Sequence, residues 1–228
     1  MSVASEVSAI RRSAGLSRAS HVAVVRVRGA GALDLLQNAC TQSPYVREGR
    51  VRHTLLLRDD ASVFADAFVV TVDDGLLVVA EGPTEAELVA WLAALGERWP
   101  ALDARAHGTS DEWAVLGVDG PYAWELLAGL LGPPVLGMPY LTLLRRDDLL
   151  CLRAGKTGEF GYLLLVPRAS ADAIEEKLVA LGASFDLARV GREALDVCAL
   201  ESWQFSLRNV RETSFASPLT PIELQLQW

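Results

Sequence analysis

The sequence predicts an α+β fold, two pseudo-repeated lobes of antiparallel sheet with helices packed on them, and three observations predict it. Ala23-Val24 … Val27-Arg28-Gly29-Ala30-Gly31-Ala32-Leu33-Asp34-Leu35-Leu36 lies over Ala114-Val115 … Val118-Asp119-Gly120-Pro121-Tyr122-Ala123-Trp124-Glu125-Leu126-Leu127 without a gap, at an offset of 91 residues. Leu77-Val78-Val79, leading into a helix over 85–95 and Gly96, lies over Leu164-Leu165-Val166, leading into a helix over 171–181 and Gly182. Residues 54–70 read as apolar strand, polar turn and apolar strand. Each half is then strand, helix, two or three strands, helix, a pattern that favours antiparallel sheets with helices on one face. The expected lobes are 1–110 and 111–228, able to exchange segments, with polar and irregular Pro100 to Thr109 as linker. Similar lobes leave a cleft, and a ligand is expected in it.

Taken in chain order, Ser2 to Arg18 is polar and rich in small residues, without the apolar core of a signal peptide. The strand at 23–27 runs into Gly29-Ala30-Gly31 as a dinucleotide fingerprint would, but the third glycine is missing. Asp34 puts negative charge in the first helical turn, where a pyrophosphate would bind. The repeat has Gly120-Pro121-Tyr122 at the same place, so the turn reads as structural. Arg47, Arg50, Arg52 and Arg58 form either a solvated face or an anchor for an anionic ligand tail or acidic partner. Period-2 counting after the turn at 59–62 sets Phe64, Asp66 and Phe68 on one face and Val63, Ala65, Ala67 and Val69 on the other. An acid between two phenylalanines is costly to bury without a partner. Asp66 is therefore an acid at a sheet edge, an acid satisfied by backbone amides, or a functional carboxylate.

Thr84 with Glu87 forms a capping-box signature, and Leu88, Trp91, Leu92 and Leu95 make the buried stripe of the helix that follows. In the second copy Ser170 is the expected N-cap, with Ile174, Leu178 and Leu181 facing inward. Before its strand stands Gly155-Lys156-Thr157-Gly158-Glu159-Phe160-Gly161-Tyr162. Glycines around a lone acid permit a sharp turn and leave room for a flat ligand; Glu159 either grips that ligand or is a turn residue in solvent. Arg192 opens a helix whose stripe runs through Val190, Ala194 and Cys198, and Glu223 follows Thr220-Pro221 in a segment that proline biases toward an extended edge.

At 228 residues the chain can bury a sizeable core. No run approaches the roughly 20 apolar residues of a membrane span, so a cytoplasmic protein is expected. A net charge of −8 argues against general nucleic-acid binding. Cys40, Cys151 and Cys198 read as reduced core residues. His21, His53 and His107 lack metal-ligand spacing and a nearby acidic pattern, and no serine or cysteine has a nucleophile-elbow context. No metal site is expected.

Several pieces run in order through nearly the whole chain: Gly31-Ala32-Leu33-Asp34-Leu35-Leu36-Gln37 with Thr41, Thr54-Leu55-Leu56-Leu57 through Asp66, and Glu112-Trp113-Ala114-Val115-Leu116 with Gly120-Pro121. Thr157-Gly158-Glu159-x-Gly161, Arg192-Glu193-Ala194-Leu195, and Thr220-Pro221-Ile222-Glu223 with Trp228 complete the series. In order and spacing they resemble the aminomethyltransferase (T-protein) family of the glycine cleavage system, whose members fold as α+β lobes around a central folate site. The resemblance implies that Asp66 is the catalytic aspartate beside the reactive folate nitrogens. It implies that Glu159 grips the pterin, that Arg192 lies near the ligand, and that Thr157, Gly158, Tyr162 and Glu223 complete the binding set. It further implies tetrahydrofolate as cofactor and an aminomethyl group on a lipoyl carrier protein as one-carbon donor.

The chain departs from the family pattern at Ala61 and Ser62, where glycines stand in the family, at Lys156 for a tyrosine, and at Cys198 for an acid. Ala80-Glu81-Gly82-Pro83 replaces an Asn-rich segment. Family members continue past this tryptophan into a β-barrel domain, so a more open folate site, or one covered by a partner subunit, is expected. The alternative function is a non-catalytic folate-binding or accessory subunit of a sarcosine-oxidase-like or other one-carbon complex.

Overall fold

The structure is a computed structural model that describes residues 1–207 and 220–223. Its elements are α1 (Val3–Arg12), β1 (Gly15–Arg18), β2 (Val22–Arg28), α2 (Ala32–Gln37), β3 (Val51–Leu57), β4 (Val63–Val72), β5 (Gly75–Glu81), α3 (Glu85–Glu97), β6 (Arg105–Gly108), β7 (Trp113–Asp119), α4 (Ala123–Leu131), β8 (Leu143–Arg146), β9 (Leu149–Leu152), β10 (Gly161–Pro167), α5 (Ala171–Gly182), β11 (Ala188–Arg189) and α6 (Arg192–Glu201). They gather into two compact units. One is Met1–Ser20 with Glu112–Ser206; the other is His21–Asp111 with the described part of Leu207–Trp228. Among the described residues no helix is long and apolar enough to cross a membrane.

The unit built on His21–Asp111 is an antiparallel sheet in the order β3-β4-β5-β2-β6. Val25, Val27, Ala65, Ala67, Val69, Val78 and Ala80 turn to one face, where Leu35 and Leu36 of α2 and Leu88, Leu92 and Leu95 of α3 close a core. Alternation along each strand produces this face, and α3 meets it with a stripe at helical spacing. Its N-terminus carries the expected capping box, Thr84 and Glu87 satisfying each other's backbone amides. Arg105 to Gly108, expected within the linker, is instead the edge strand β6, paired to β2. An edge strand with one solvated side tolerates polar residues, which is why its composition resembled a loop.

In the other unit the sheet order is β11-β1-β7-β10-β9-β8. Reading outward from the Gly turn, β7-β10-β9-β8 repeats β2-β5-β4-β3 with every pairing antiparallel. The chain's own N-terminus fills the position next to β7: β1 pairs antiparallel with β7 and parallel with β11. Residues 1–20 therefore fold with the second copy, where the expected lobe boundary had them with the first. The core joins Leu116, Val118, Leu126, Leu127, Leu164, Val166 and Leu178. Ser170 is not a side-chain cap of α5; its hydroxyl donates to the Pro167 carbonyl at 3.2 Å.

The two Gly turns of the repeat share one cause. Gly29 (φ +108°) and Gly120 (φ +135°) both lie in the left-handed region, and a Cβ would stand 2.1 Å from the Asp103 carbonyl oxygen and 2.4 Å from that of Ser13. The first turn is thus a packing device and not a phosphate cradle. Ala61, in the β3–β4 turn, sits at φ +63° with a side chain attached. Left-handed backbone costs an L-residue about 1–2 kcal/mol, and glycine's own entropy penalty is about 0.5–1 kcal/mol. Ala61→Gly is expected to raise the unfolding free energy by roughly 0.5–1 kcal/mol, whereas Gly120→Ala lowers it by about 1–3 kcal/mol. Shifts of the urea midpoint in opposite directions check the pair.

Candidate functional site

The catalytic candidate Asp66 lies mid-strand in β4, with 1% of its surface exposed. β4 is buried from Val63 to Val70 on both faces, so the carboxylate is surrounded by protein and needs a donor. One partner is a side chain: His53 Nε2 lies 2.6 Å from Asp66 Oδ1. With the acid ionised, Nε2–H donates. The imidazole also stacks on Phe68, with centroids 4.6 Å apart and planes at 29°. Of the pair, Asp66 has no exposed side-chain surface and His53 retains 13%.

Strand register explains why this histidine read as isolated. His53 stands opposite Phe68, and Leu55 opposite Asp66, so the imidazole reaches Asp66 along the diagonal of one face. The register shifts between Leu56 and Leu57. Extending the Leu57↔Val63 pairing unshifted would set Asp66 opposite Thr54 and turn His53 to the other face. The signal in the sequence is the hairpin itself, whose count closes on the pair once one residue is allowed to bulge. Across the other neighbour, Asp66 stands opposite Glu81.

Arg58, among the arginines singled out near this hairpin, braces it: Nη1 donates to the Val63 carbonyl at 3.1 Å, and the guanidinium lies 4.9 Å above the Phe64 ring. A 290 Å³ hollow in the same unit is bordered by Cys40, Arg58, Asp59, Trp91, Arg98 and Trp99. Its Arg98 is already held by both oxygens of Asp59, at 2.8 and 2.6 Å.

Thr157, Gly158 and Glu159 share one loop of the other unit. Arg11, in the last turn of α1, gathers that loop and the end of α6. Its Nη1 donates to the Thr157 carbonyl and to Glu159 Oε1 (3.2 Å); its Nη2 donates to the Cys198 carbonyl (3.1 Å), Glu201 Oε2 (3.0 Å) and Ser202 Oγ (3.3 Å). Burial opposes the guanidinium charge, but the hydrogen bonds to Glu201 and Glu159 outweigh it and raise its pKa. The Thr157 hydroxyl donates to buried Asp119 at 3.0 Å. Glu159 retains 27% side-chain exposure.

The glycines framing Glu159 were expected to make room for a flat ligand. They make room for the chain itself: a Cβ on Gly155 or Gly161 would lie 2.3 or 2.4 Å from the other's Cα, and one on Gly158 would meet Ser202 Oγ at 2.3 Å. Tyr162, expected to touch the ligand, is 1% exposed within the core, paired to Val118. It follows Gly161 in a strand whose alternation turns it inward. Arg192 begins α6, 3.9 Å from Asp196, and its Nε is buried without a hydrogen bond among the described residues. Glu223 closes a reciprocal turn on Thr220, accepting from its amide at 2.8 Å and its hydroxyl at 2.9 Å. The backbone bond holds that carboxyl below its usual range. Trp228 lies outside the described residues. Among the described residues no cluster of His, Cys, Asp and Glu suits a metal.

The family model of the GCVT N-terminal domain matches residues 1–228. The chain is 30% identical over 223 residues to an aminomethyltransferase of Streptomyces coelicolor, covering 96% of this chain and 58% of that one. It is 28% identical over 225 residues to an aminomethyltransferase of Alcanivorax borkumensis, with 59% of that protein covered. The chain thus spans about three fifths of the curated relatives it matches. Its structure matches the glycine cleavage system aminomethyltransferase T of Bartonella henselae with TM-score 0.78 at 27% identity, over 96% of this chain and 58% of that one. It also matches a chain of the heterotetrameric sarcosine oxidase of Corynebacterium sp. U-96, with TM-score 0.59 at 17% identity, over 83% of this chain and 95% of that one, a likeness of fold. The α+β architecture read from the repeats is this family's.

The cysteines are free thiols. Burial pushes Cys151 up to about 12 from 9.0. At pH 8 its thiolate is then about one part in ten thousand, and a thiol-specific disulfide reagent should leave it unmodified until the chain unfolds. The folded pKa is the higher one, so this stabilisation is complete below pH 9 and lost as pH rises toward 12. Alkaline unfolding in that window, weakened in Cys151→Ala, checks it.

Proposed function

The chain belongs to the GCVT N-terminal domain family, and from that premise we propose that it binds a folate and acts as an aminomethyltransferase-like domain, passing a one-carbon unit to tetrahydrofolate. The observation that carries this for the present chain is Asp66: a carboxylate without exposed side-chain surface, in the middle of a strand buried on both faces, with the His53 imidazole at 2.6 Å. A purely structural position of that kind is more cheaply filled by an apolar residue.

The residues present fit a folate. A pterin edge sets an amino group beside a ring N–H, which a carboxylate accepts together. Glu159 keeps exposed surface, and Arg11 holds it at Oε1. An anionic tail needs a guanidinium with donors to spare, and the Arg192 Nε makes no hydrogen bond among the described residues. On this reading Glu159 and Arg192 hold the ligand, with Thr157 and Gly158 shaping the loop that carries Glu159. Tetrahydrofolate when bound supplies the nitrogens that take the carbon. Asp66 supplies fixed negative charge from a side chain without exposed surface, where such charge acts more strongly than in water. A lipoyl carrier is the proposed donor, and tetrahydrofolate the proposed acceptor.

A second reading, a non-catalytic folate-binding or accessory subunit, is favoured by the segment around Glu159. Its glycines meet protein atoms and its acid is ion-paired, so it holds its shape without a ligand.

Calorimetric titration with 5-formyltetrahydrofolate tests the first reading, beside Glu159→Gln and Asp66→Asn. Wild type should bind, and Glu159→Gln should weaken binding tenfold or more, about 1.4 kcal/mol. Binding by wild type with no transfer from an aminomethyl-loaded lipoyl carrier would leave the second reading standing. Absence of binding by wild type would dispose of the first reading and of the folate-binding form of the second, leaving the accessory subunit.

A further inference from the structure

The 290 Å³ hollow beside α3 carries a chemistry that the folate reading does not use. All of its walls belong to the unit of 21–111, and none of Asp66, Glu159 and Arg192 borders it. Trp91 and Trp99 give it aromatic surface, Leu57 and Leu95 apolar surface, and Arg58 and Arg98 positive charge. Trp99 keeps 36% of its surface exposed, an apolar cost that a flat ligand against the ring would remove. The side chains are already set in place. Arg58 Nη1 donates to the Val63 carbonyl at 3.1 Å, and its guanidinium lies 4.9 Å from the centre of the Phe64 ring. Phe64 also packs on Trp91, with centroids 4.9 Å apart, so one ring steadies an arginine and a tryptophan of the hollow together.

Charge in the wall favours an anion. Arg98 commits both Nη groups to Asp59, whereas Nε and Nη2 of Arg58 make no hydrogen bond among the described residues. Those two groups form the side-on edge of a guanidinium, which takes a carboxylate with two parallel bonds. Two guanidinium groups thus stand against one lining carboxylate, a local positive excess in a chain of net charge −8. Cys40 adds no anion, because burial pushes its thiol up to about 12. Asp60, the other acid near Arg58, lies outside the border and accepts from the Ser62 amide at 2.9 Å.

We propose that this hollow is a second ligand site, separate from the folate site, for a small, flat aromatic carboxylate. The carboxylate pairs with the side-on edge of Arg58, and the ring system lies against the tryptophans. At 290 Å³ the hollow stands at the lower end of the roughly 300–1,000 Å³ of small-molecule sites, which suits one or two fused rings. Because its polar and aromatic side chains are held in advance, little order is lost on binding. Of the two readings open to the arginines of 47–58, a solvated face or an anion anchor, Arg58 takes the second.

Calorimetric titration with 2-naphthoate tests the site, with 2-naphthamide as the neutral analogue of the same shape. Wild type should bind one naphthoate, and naphthamide about tenfold more weakly or worse. Arg58→Gln should lower naphthoate affinity about tenfold and leave naphthamide affinity nearly unchanged. Since Arg58 also braces the β3–β4 hairpin, Ala94→Trp provides a second variant. Ala94 is an exposed position of α3 that borders the hollow, so an indole there should fill it without disturbing the core. With far-UV circular dichroism and the urea midpoint near those of wild type, Ala94→Trp should bind no naphthoate. Naphthoate binding should survive both Glu159→Gln and saturating 5-formyltetrahydrofolate. The proposal is overturned by a wild type without saturable naphthoate binding, by equal affinity for naphthamide, or by full binding in folded Ala94→Trp. Loss of naphthoate binding in Glu159→Gln overturns it too, since the naphthoate would then sit at the loop of the folate reading. The folate titration stands or falls separately from each of these outcomes.

Discussion

A carboxylate buried in the middle of a strand must be answered by a donor, and in this molecule that requirement governs one hairpin. β4 is covered on both faces, so water does not satisfy Asp66, and both backbone neighbours are committed to ladder bonds. One source is a side chain on the same face of a neighbouring strand. β3 supplies His53, but only in the register that follows the irregularity at Leu56 and Leu57. Turn, bulge and histidine thus form one device. Moving any of them by one residue takes the imidazole away from a carboxylate that has no exposed side-chain surface.

The two units show how far one pattern stretches. Both place four strands in the same spatial order, both open with a Gly turn against a passing carbonyl, and both cover the apolar face with two helices. They differ at the strand beside β2 or β7. In one unit that place is taken by β6, which follows its helix; in the other it is taken by β1, from the far end of the chain. The displaced β11 moves out to the sheet edge and pairs parallel to β1.

Much of this architecture was legible in the residues. Gap-free repetition of strand, Gly turn and Leu-Leu helix marked the two copies because hydrophobic periodicity is set locally. The capping box of α3 was legible for the same reason. What was not legible depends on contacts between residues distant in sequence. Gly155 and Gly161 look like a ligand loop until their own backbones are seen to touch. Tyr162 lies beside the candidate acid in sequence, yet alternation turns it into the core. Arg11, which ties Glu159, Cys198 and Glu201 together, stands some 150 residues or more from each of its partners, and no local pattern announces it. Residues 105–108 were polar enough to pass for a linker because an edge strand can afford it.

The insertion of β1 between β7 and β11 has a consequence for the history of each molecule. Gly15 pairs with both Asp119 and Ala188, so the sheet that holds the first residues of the chain cannot close until nearly two hundred have been made. The other unit has all its strands in one continuous stretch, 21–111, and they are all made long before that. Contacts of long sequence separation form slowly, because the chain must lose loop entropy before they reward it. During synthesis, then, the sheet of 21–111 can pair first, while α1 and β1 await partners made much later. The site loop that Arg11 gathers is among the last parts of the protein to acquire its shape.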